Sequence, residues 1–384
     1  MTEQTPTSPP RRLLVVSATV GSGHNSAARA LIAQFAQAAP HIQCEFVDAL
    51  RFAPRPFRAY YAGGFALSMT RFPWFYGLGF ALSDHPQQPG RGLGERFRLA
   101  WERLWMKRFR SYLLAERFDA ILHTHFLAPP LVARLIDRGQ IHVPQYVAIT
   151  DVQVHRFWYS RNVRHWFVPS EHSAEPLVRW GIKPEQITVS GIAIHPKWTA
   201  PLDKARILAD WNLPAERNIV LLAGGTEFTC GPIVRIARTI VSRCPQAYVV
   251  VLAGRNKKLL AELAKLPQSP GKLVGMGFTD RAHELAAFSS IMATKPGGIT
   301  TAECLAKGLP MVLINPVPGQ EGGNARYFVR NGAAVIARRP RQIAAEVCRL
   351  LDDPPRLAQL ADNARRLYRP AAETIVSRIV DELG

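Results

Sequence analysis

One local pattern, an apolar strand followed by a glycine-containing loop and a helix, occurs twice in this chain. In the first copy, the apolar run 13–18 precedes Gly21-Ser22-Gly23-His24 and an alanine-rich segment, 26–39, that is predicted to be helical. The second copy lies about 210 residues later and comprises 219–223, Gly224-Gly225-Thr226 and 232–243. Such an opening is typical of a doubly wound domain with a buried parallel sheet. The repetition therefore predicts an α/β fold with two similar domains.

Further apolar runs of strand length follow each opening and set the predicted domain limits. The predicted strands are 120–123, 146–149, 165–168, 187–189, 248–253, 272–274, 291–294 and 311–314. Two prolines within 195–201 indicate a linker. The predicted parts are a flexible N-terminus at 1–10, domains at 11–195 and 196–370, and a C-terminal segment at 371–384. Its amphipathic helix, 371–383, has no preferred domain in the sequence.

The chain is strongly basic along its whole length. It has 48 Lys and Arg residues against 29 Asp and Glu, a net charge of +19. The excess is even, 22 − 13 = +9 for 1–195 and 26 − 16 = +10 for 196–384. Such a charge favours nucleic acid, an anionic membrane or a phosphorylated substrate as partner, although compositional drift also produces it. No nucleic-acid-binding module is recognisable, so we expect no nucleic-acid partner.

The cysteines and the N-terminus bear on the compartment. The five cysteines are scattered at Cys44, Cys230, Cys244, Cys304 and Cys348. They form no Cys-x-x-Cys or Cys/His cluster, which argues against a structural zinc site, and an odd, scattered set indicates a reducing compartment. The first ten residues are polar and lack the apolar core of a signal peptide.

The segment 51–110 is unusual because it concentrates aromatic and basic residues. It holds 14 of the 35 aromatic residues of the chain, together with 11 basic and only 3 acidic residues. Arg71, Pro73 and four glycines argue against a membrane-spanning helix in 59–83. Aromatic and arginine side chains together suit a surface that enters lipid headgroups, whereas the alternative is an aromatic cleft or core insertion. The predicted membrane-contacting residues are Arg55, Arg58, Trp74 and Phe75.

Three glycine-containing motifs carry the predicted chemistry. The loops 21–24 and 224–226 precede helices, whose free N–H groups favour phosphate, although many such glycines serve packing alone. The stretch 294–303, Thr-Lys-Pro-Gly-Gly-Ile-Thr-Thr-Ala-Glu, is more specific, since it follows a strand and opens a helix. Glu303, one turn into that helix, suits both hydroxyls of a ribose. The loop 318–324 offers amide and carboxylate groups that suit sugar hydroxyls.

These motifs resemble those of family 28 glycosyltransferases. The block 277–306, with Lys295-Pro296-Gly297-Gly298 and Glu303, is similar to the nucleotide-sugar site of that family. The stretch 17–28 is similar to the acceptor loop of monogalactosyldiacylglycerol synthases and bacterial diacylglycerol glucosyltransferases. Further matching stretches are 150–158, 167–171, 189–194 and 320–324, so that the resemblance covers most of 13–335. Ser22 and Asn25 depart from the family loop, which usually has Gly and often Arg there.

The resemblance implies a GT-B fold, in which two Rossmann-like domains face each other across a cleft. It places UDP-galactose or UDP-glucose in the C-terminal domain, with Phe278 beside the uracil and Glu303 on the ribose. The implied diphosphate-lining residues are Gly225, Thr226, Gly297 and Gly298, with Lys295 and Thr300 in the same block. The implied sugar-reading residues are Gln320, Glu321 and Asn324. The implied acceptor-side residues are Gly23, His155 and Trp158.

The reaction so implied is inverting transfer of a hexose from a UDP-sugar to diacylglycerol. A base must take the proton of the attacking hydroxyl, and His24, which has a suitable pKa, is implied as this base or as a group that positions the acceptor. Asp151 is either the rival base or the group that orients His24. No Asp-x-Asp motif is present, so we expect no obligatory metal and no other cofactor. The expected location is the cytoplasmic face of the cell membrane, as a peripheral protein. The alternatives are a lipid II-type acceptor and a UDP-sugar epimerase.

Overall fold

The computed structural model describes residues 11–64, 67, 71–84, 92–214, 218–223, 231–266 and 272–383. Its first half contains a six-stranded parallel sheet in the order β2-β1-β3-β4-β5-β6. The strands of this sheet are β1 Arg11–Ser17, β2 Ile42–Asp48, β3 Ala120–His123, β4 Gln145–Ala148, β5 Val163–Val168 and β6 Ile187–Val189. The order reverses between β1 and β3, and the crevice at such a point is where open α/β sheets bind ligands.

The second half contains another six-stranded parallel sheet, in the order β12-β11-β10-β7-β8-β9. Its strands are β7 Asn218–Ala223, β8 Ala247–Gly254, β9 Leu273–Gly277, β10 Ile291–Thr294, β11 Met311–Ile314 and β12 Ala334–Ala337. Counted from β7, this is the Rossmann order, with its switch point between β7 and β10. The central strands are apolar and fully buried, as a sheet covered by helices on both faces requires.

Helices connect the strands and cover both faces of each sheet. In the first half they are α1 Gly23–Ala38, α2 Arg55–Arg58, α3 Pro73–Ser83, α4 Leu93–Trp105, α5 Lys107–Ala115, α6 Pro129–Asp137 and α7 Glu171–Arg179. In the remainder of the chain they are α8 Lys204–Asp210, α9 Ile233–Arg243, α10 Lys257–Ala264, α11 Ala282–Ala287, α12 Gly298–Lys307, α13 Gln320–Arg330, α14 Pro340–Leu351, α15 Pro354–Leu367 and α16 Ala371–Leu383. Short helical turns occur at Ala49–Phe52, Ala59–Gly63, Arg156–Trp158, Pro184–Gln186 and Pro196–Trp198.

The predicted doubly wound α/β fold is confirmed, and each predicted strand is present within a few residues of its expected limits. Two strands, β2 and β12, have no counterpart in the sequence prediction. Both lie at the edge of a sheet, and β2 mixes polar and apolar residues in Ile-Gln-Cys-Glu-Phe-Val-Asp. An edge strand is only half covered, so it lacks the continuous apolar run that marks a central strand.

The C-terminal helix α16 packs on the first half of the chain, which the sequence left open. Its apolar face joins the core formed by β1 and α1, with Ile375 and Ile379 buried among Leu13, Leu31 and Phe35. The Glu382 carboxylate accepts hydrogen bonds from the Tyr146 hydroxyl at 2.9 Å and the Arg164 Nε at 3.1 Å. Burial of each large aliphatic side chain contributes about 1.5–3 kcal/mol, so α16 is an integral part of that core.

The cysteines differ from the sequence expectation. Cys244 and Cys348 form a disulfide between the end of α9 and α14, with their Cα atoms 5.5 Å apart. The sequence indicated a set of separate thiols because these two residues are 104 positions apart, but α9 and α14 pack side by side. Cys44 and Cys304 are free thiols, and Cys230 lies outside the described residues.

The aromatic-rich segment folds into helices α2 to α5 at one end of the first half. Phe57, Phe109 and Met106 anchor it in the core. The outer helices instead expose apolar side chains, with Trp74 and Phe75 on α3 67% and 60% exposed. On α4 the exposed apolar side chains are Leu93, Phe97, Trp101 and Leu104. Within the described ranges, no helix combines the length and apolar character needed to cross a bilayer.

Candidate functional site

The two halves of the chain meet at the carboxyl ends of their central strands. A Cβ on Gly298, the first residue of α12, would lie 1.9 Å from the Thr150 carbonyl oxygen, so only glycine fits there. A Cβ on Gly23, the first residue of α1, would lie 3.5 Å from Ile299 Cγ1. The first turns of α1 and α12 therefore lie against each other at the junction of the two halves, which is called the cleft below. Both turns carry free N–H groups that suit an anion.

His24 is the second residue of α1 and lies half-buried in this cleft. Its Nδ1 is 3.1 Å from the Thr124 carbonyl oxygen and 2.8 Å from Thr150 Oγ1. A carbonyl oxygen only accepts hydrogen bonds, so Nδ1 carries the hydrogen and donates it. In the neutral ring, Nε2 then has a free lone pair, and this is the tautomer that a base requires.

The surroundings of His24 keep the ring neutral. Burial lowers the pKa of His24 below its usual value, and this outweighs the opposing effects of the Asp151 charge and the Thr124 carbonyl. Asp151 is itself buried and lies three residues after the end of β4. The hydrogen-bond partners of His24 Nδ1 are Thr124 and Thr150, so it is these residues that fix the ring orientation. The choice between His24 and Asp151 as base stays a prediction.

Three neighbours of His24 were given no site role in the sequence prediction: Thr124, Thr150 and His125. The Thr124 hydroxyl donates to the His24 carbonyl oxygen at 3.0 Å, which ties α1 to the end of β3. The His125 ring contacts the His24 ring edge-on, with centroids 4.5 Å apart. His125 Nδ1 accepts a hydrogen bond from the Leu127 N–H at 3.0 Å, so the His125 ring is neutral. This contact holds the backbone that follows β3. The sequence signals for these neighbours were their positions after predicted strands and, for Thr150, its place in the matching stretch 150–158.

Asn324 joins the two halves rather than facing an open space. Its Oδ1 accepts the Gln153 N–H at 2.9 Å, and its Nδ2 donates to the Pro296 carbonyl oxygen at 3.0 Å. Nδ2 is also 3.4 Å from Asp151 Oδ1. Both ends of the amide have protein partners, so these contacts alone do not indicate that Asn324 binds a sugar. The sugar-reading role of Asn324 stays a prediction. They fix the position of Asp151 against α13.

Lys295 and Glu321 form a largely buried ion pair beside the cleft. Lys295 Nζ is 3.6 Å from Glu321 Oε1, and the side chains are 15% and 13% exposed. Glu321 Oε2 also accepts the Val317 N–H at 3.0 Å, which closes the loop before α13. Gln320 is half-buried at the first position of α13. This arrangement holds a positive charge next to the predicted diphosphate position while its partner carboxylate stays in the predicted sugar-reading loop.

Glu303 lies one turn into α12, as the sequence predicted. No hydrogen bond joins its carboxyl group to any residue that the structure describes. Burial raises the pKa of Glu303 to about 8, although the nearby Lys197 charge lowers it. A half-buried carboxyl group without a protein partner is suited to receive hydroxyl groups from a ligand. Thr300, on the same turn, is half-buried. The Thr301 hydroxyl donates a hydrogen bond to the Gly297 carbonyl oxygen at 3.0 Å.

Phe278 lies at the outer edge of the second half and is 61% exposed. The Arg255 guanidinium group lies over its ring, 4.9 Å from the centroid. An exposed aromatic ring next to an arginine is a suitable edge for a planar base. The other donor-side residues predicted from the first glycine loop of this half, Gly225 and Thr226, lie outside the described residues.

The predicted acceptor-side residues divide into two groups. Trp74, Phe75 and Arg55 are exposed, and Arg58 is half-buried, on the outer face of the aromatic segment. His155 and Trp158 are buried instead. Trp158 packs near His24 with ring centroids 6.1 Å apart, and His155 Nε2 donates to the Phe80 carbonyl oxygen at 3.3 Å. Burial lowers the pKa of His155 to about 4, so this ring is neutral.

The titratable side chains of the cleft do not form a metal site in the part of the chain that is described. There, no three His, Cys, Asp or Glu side chains converge on one point. His123 is fully buried beside β1, and His125 makes the contacts given above. The expectation of a metal-independent reaction stays a prediction.

The two facing sheets and the glycine-started helices where they meet define the GT-B fold. Solved structures with the same fold include the S. aureus MnaA–UDP co-structure, with a TM-score of 0.63, 15% identity and 97% of both chains covered. Acinetobacter baumannii MurG has a TM-score of 0.60 and 16% identity over 97% of this chain and 100% of that chain. At such identities the likeness shows the fold alone, and the predicted GT-B fold is confirmed.

Sequence comparisons give the family. The monogalactosyldiacylglycerol (MGDG) synthase model matches residues 24–194, and the glycosyltransferase family 28 C-terminal domain matches residues 219–378. A processive diacylglycerol beta-glucosyltransferase of Bacillus cereus (strain AH187) is 34% identical over 280 residues, which cover 72% of this chain and 71% of that protein. The chain belongs to this family of MGDG synthases and diacylglycerol glycosyltransferases, and the resemblance seen in the sequence is confirmed.

Proposed function

We propose that this enzyme transfers glucose or galactose from its UDP-sugar to diacylglycerol, with inversion at the anomeric carbon. The observation that carries the proposal is the placement of His24, whose Nδ1 is held by Thr124, directly across the cleft from the start of α12. The relationship to diacylglycerol glucosyltransferases supports this acceptor over a lipid II-type acceptor and transfer over epimerisation.

The proposed step follows from these positions. The acceptor hydroxyl oxygen forms a bond to the anomeric carbon while the bond from that carbon to the UDP oxygen breaks. The hydroxyl proton passes to His24 Nε2, which is free because Nδ1 donates to the Thr124 carbonyl. The negative charge on the leaving UDP is stabilised by the N–H groups at the start of α12 and by Lys295. Glu303 holds the ribose, and Gln320 and Glu321 contact the sugar.

We expect this step to need no metal, because Lys295 and the start of α12 supply the positive charge. Addition of EDTA should therefore leave the rate of transfer within about twofold of the untreated enzyme, since no bound ion contributes to the barrier. Restoration of a lost activity by Mg²⁺ or Mn²⁺ would contradict this expectation.

The acceptor is a membrane lipid, so the proposed working position is the cytoplasmic surface of an anionic membrane. Exposed aromatic side chains on α3 and α4 belong to the same segment as Arg55, Arg58, Arg96 and Arg103, and this segment has a local charge of 11 − 3 = +8. Each basic residue near anionic headgroups contributes about 1 kcal/mol, and aromatic rings gain by leaving water for the interface. Together these effects support peripheral docking through this surface.

Vesicle sedimentation tests the docking surface. The enzyme should bind phosphatidylglycerol-rich vesicles, bind neutral vesicles weakly, and dissociate at high salt. Replacement of Arg55, Arg58, Trp74 and Phe75 by alanine should abolish vesicle binding and lipid glycosylation but spare UDP binding. A control that removes one exposed and one half-buried arginine from the second half, Arg365→Ala with Arg356→Ala, matches Arg55 and Arg58 in exposure and should retain vesicle binding. Retained binding by the first variant would show that the docking surface lies elsewhere.

A donor and acceptor panel tests the function itself. Purified enzyme is incubated with UDP-glucose, UDP-galactose or UDP-N-acetylglucosamine and vesicles that contain diacylglycerol, and the products are identified by mass spectrometry and NMR. We expect a monohexosyl diacylglycerol whose anomeric configuration is opposite to that of the donor. A sugar on a lipid-linked peptidoglycan precursor, or an epimerised UDP-sugar without a lipid product, would refute the proposal in favour of the corresponding alternative.

A further inference from the structure

Helix α3 has two distinct faces. Its outer face exposes Trp74, Phe75, Leu78 and Leu82. The inner face lies on the opposite side of the helix and consists of partly buried residues, namely Tyr76, Gly77, Phe80 and Ser83. The helix that carries the proposed membrane-contacting residues therefore also packs on the rest of the protein.

The inner face of α3 rests on the loop that precedes α13. A Cβ on Gly77 would lie 2.5 Å from Pro318 Cβ, so the absence of a side chain at Gly77 permits this close contact. One turn later, the Phe80 ring lies 3.0–3.3 Å from the position of a Cβ on Gly319. Gly319 has φ +96°, a conformation that favours glycine. The contact thus involves the residues immediately before Gln320 and Glu321, in the other half of the chain.

Tyr76 lies on the same partly buried face of α3, near the carboxylates of Asp151 and Glu321. Burial and the nearby carboxylates of Asp151 and Glu321 raise the pKa of Tyr76 above its usual value. Its hydroxyl group stays neutral at all working pH values.

The C-terminal end of α3 is fastened to the acceptor side. His155 Nε2 is 3.1 Å from Ser83 Oγ, in addition to its bond with the Phe80 carbonyl oxygen. The Arg156 N–H donates to Asp84 Oδ1 at 3.1 Å. One end of α3 is thus held by the loop after β4, while its middle supports the loop before α13.

We propose that α3 is a positioning element that transmits membrane contact to the donor site: a bilayer on its outer face steadies its inner face, which holds Pro318 and Gly319 so that Gln320 and Glu321 meet the sugar. This inference rests on the proposed function and extends it to regulation of the same site by the lipid surface. It implies that anionic vesicles tighten UDP-sugar binding even without an acceptor lipid.

Two glycines on α3 provide a matched pair of variants. Gly77→Ala adds a methyl group that the Pro318 ring must move to accommodate, whereas Gly79→Ala adds one that meets no atom of the described residues within 4 Å. We expect Gly77→Ala to raise the KM for the UDP-sugar about tenfold on vesicles, because misplacement by about 1 Å costs up to about 10²-fold. Vesicle sedimentation should be unchanged in both variants, and Gly79→Ala should keep the wild-type KM. Pro318→Gly in the Gly77→Ala background removes the opposing Cβ and should lower the KM again.

Calorimetry separates this inference from the proposed function. Binding of UDP-glucose and UDP-galactose is measured with and without phosphatidylglycerol vesicles that lack diacylglycerol. Tighter binding on vesicles for the wild type and Gly79→Ala, but not for Gly77→Ala, would support the coupling whatever acceptor the enzyme uses. Equal KM values for Gly77→Ala and the wild type, or vesicle-independent UDP-sugar binding by the wild type, would overturn it. Absence of a glycolipid product refutes the proposed function alone.

Discussion

Replacement of Gly298 by alanine should open the cleft and slow transfer. The added Cβ would lie 1.9 Å from the Thr150 carbonyl oxygen, whereas ordinary contact begins at 3.4 Å, so the two halves must separate by about 3.4 − 1.9 = 1.5 Å there. Thr150 also holds the His24 ring, so the base and the donor helix move apart together. A displacement of about 1 Å costs about 10²-fold, and we expect kcat/KM to fall at least that far, about 2.7 kcal/mol in the barrier.

The assay measures transfer of radiolabelled hexose to diacylglycerol in vesicles, together with calorimetric binding of UDP. UDP affinity should stay close to the wild-type value in Gly298→Ala, because the N–H group of residue 298 is retained. Gly297→Ala is the matched comparison, since a Cβ there meets nothing within 4 Å among the described residues and its φ of −73° suits alanine. That variant should affect UDP binding rather than closure. A kcat/KM for Gly298→Ala within about threefold of the wild type would refute the reasoning that this close approach is needed for catalysis.

Three further predictions follow from the same site. Burial raises the pKa of Glu303 to about 8, so its carboxyl group is mostly protonated at pH 7 and its two hydrogen bonds to the ribose contribute about 0.5–1.5 kcal/mol each. Glu303→Ala should therefore raise the KM for the UDP-sugar about 5- to 150-fold, and near-normal affinity in the folded variant would remove Glu303 from the donor site. His24→Ala should lower kcat by about 10²–10⁴-fold with UDP binding intact, and an inactive Asp151→Asn beside an active His24→Ala would reverse the two roles. Burial lowers the pKa of His24 below 6.5, so the base is unprotonated at neutral pH and kcat should fall only as the pH drops through that lowered pKa; a kcat that is already falling at pH 7.5 would contradict this.

The sequence was most informative where local physics decides the structure. The central strands are continuous apolar runs, and the glycine-started helices begin within a few residues of their predicted limits, as at α12. The donor block was recognisable because Lys295, Gly298 and Glu303 have a fixed spacing along one loop and helix. Edge strands such as β2 were missed because partial exposure removes the apolar pattern.

Contacts between the halves were beyond the reach of sequence reasoning. Nothing local to Thr150 indicates that its hydroxyl orients His24 or that its carbonyl excludes a side chain at Gly298. The role of Asn324 in joining Gln153 to Pro296 is similarly invisible, because the partners lie on different elements that only the assembled fold brings together. The disulfide between Cys244 and Cys348 depends in the same way on helix packing.

The position of α16 has a consequence for how the protein is made. The first sheet leaves the ribosome early, but its core lacks Ile375, Val376 and Ile379 until α16 has been synthesised. Along the chain, all strands of the second sheet lie between the first sheet and α16. The second sheet can therefore complete its own packing before α16 is made. Domains commonly fold during synthesis in the order in which they emerge. In this chain the order of completion is inverted, so the N-terminal half must wait, with apolar surface on β1 and α1 uncovered, until α16 has been synthesised.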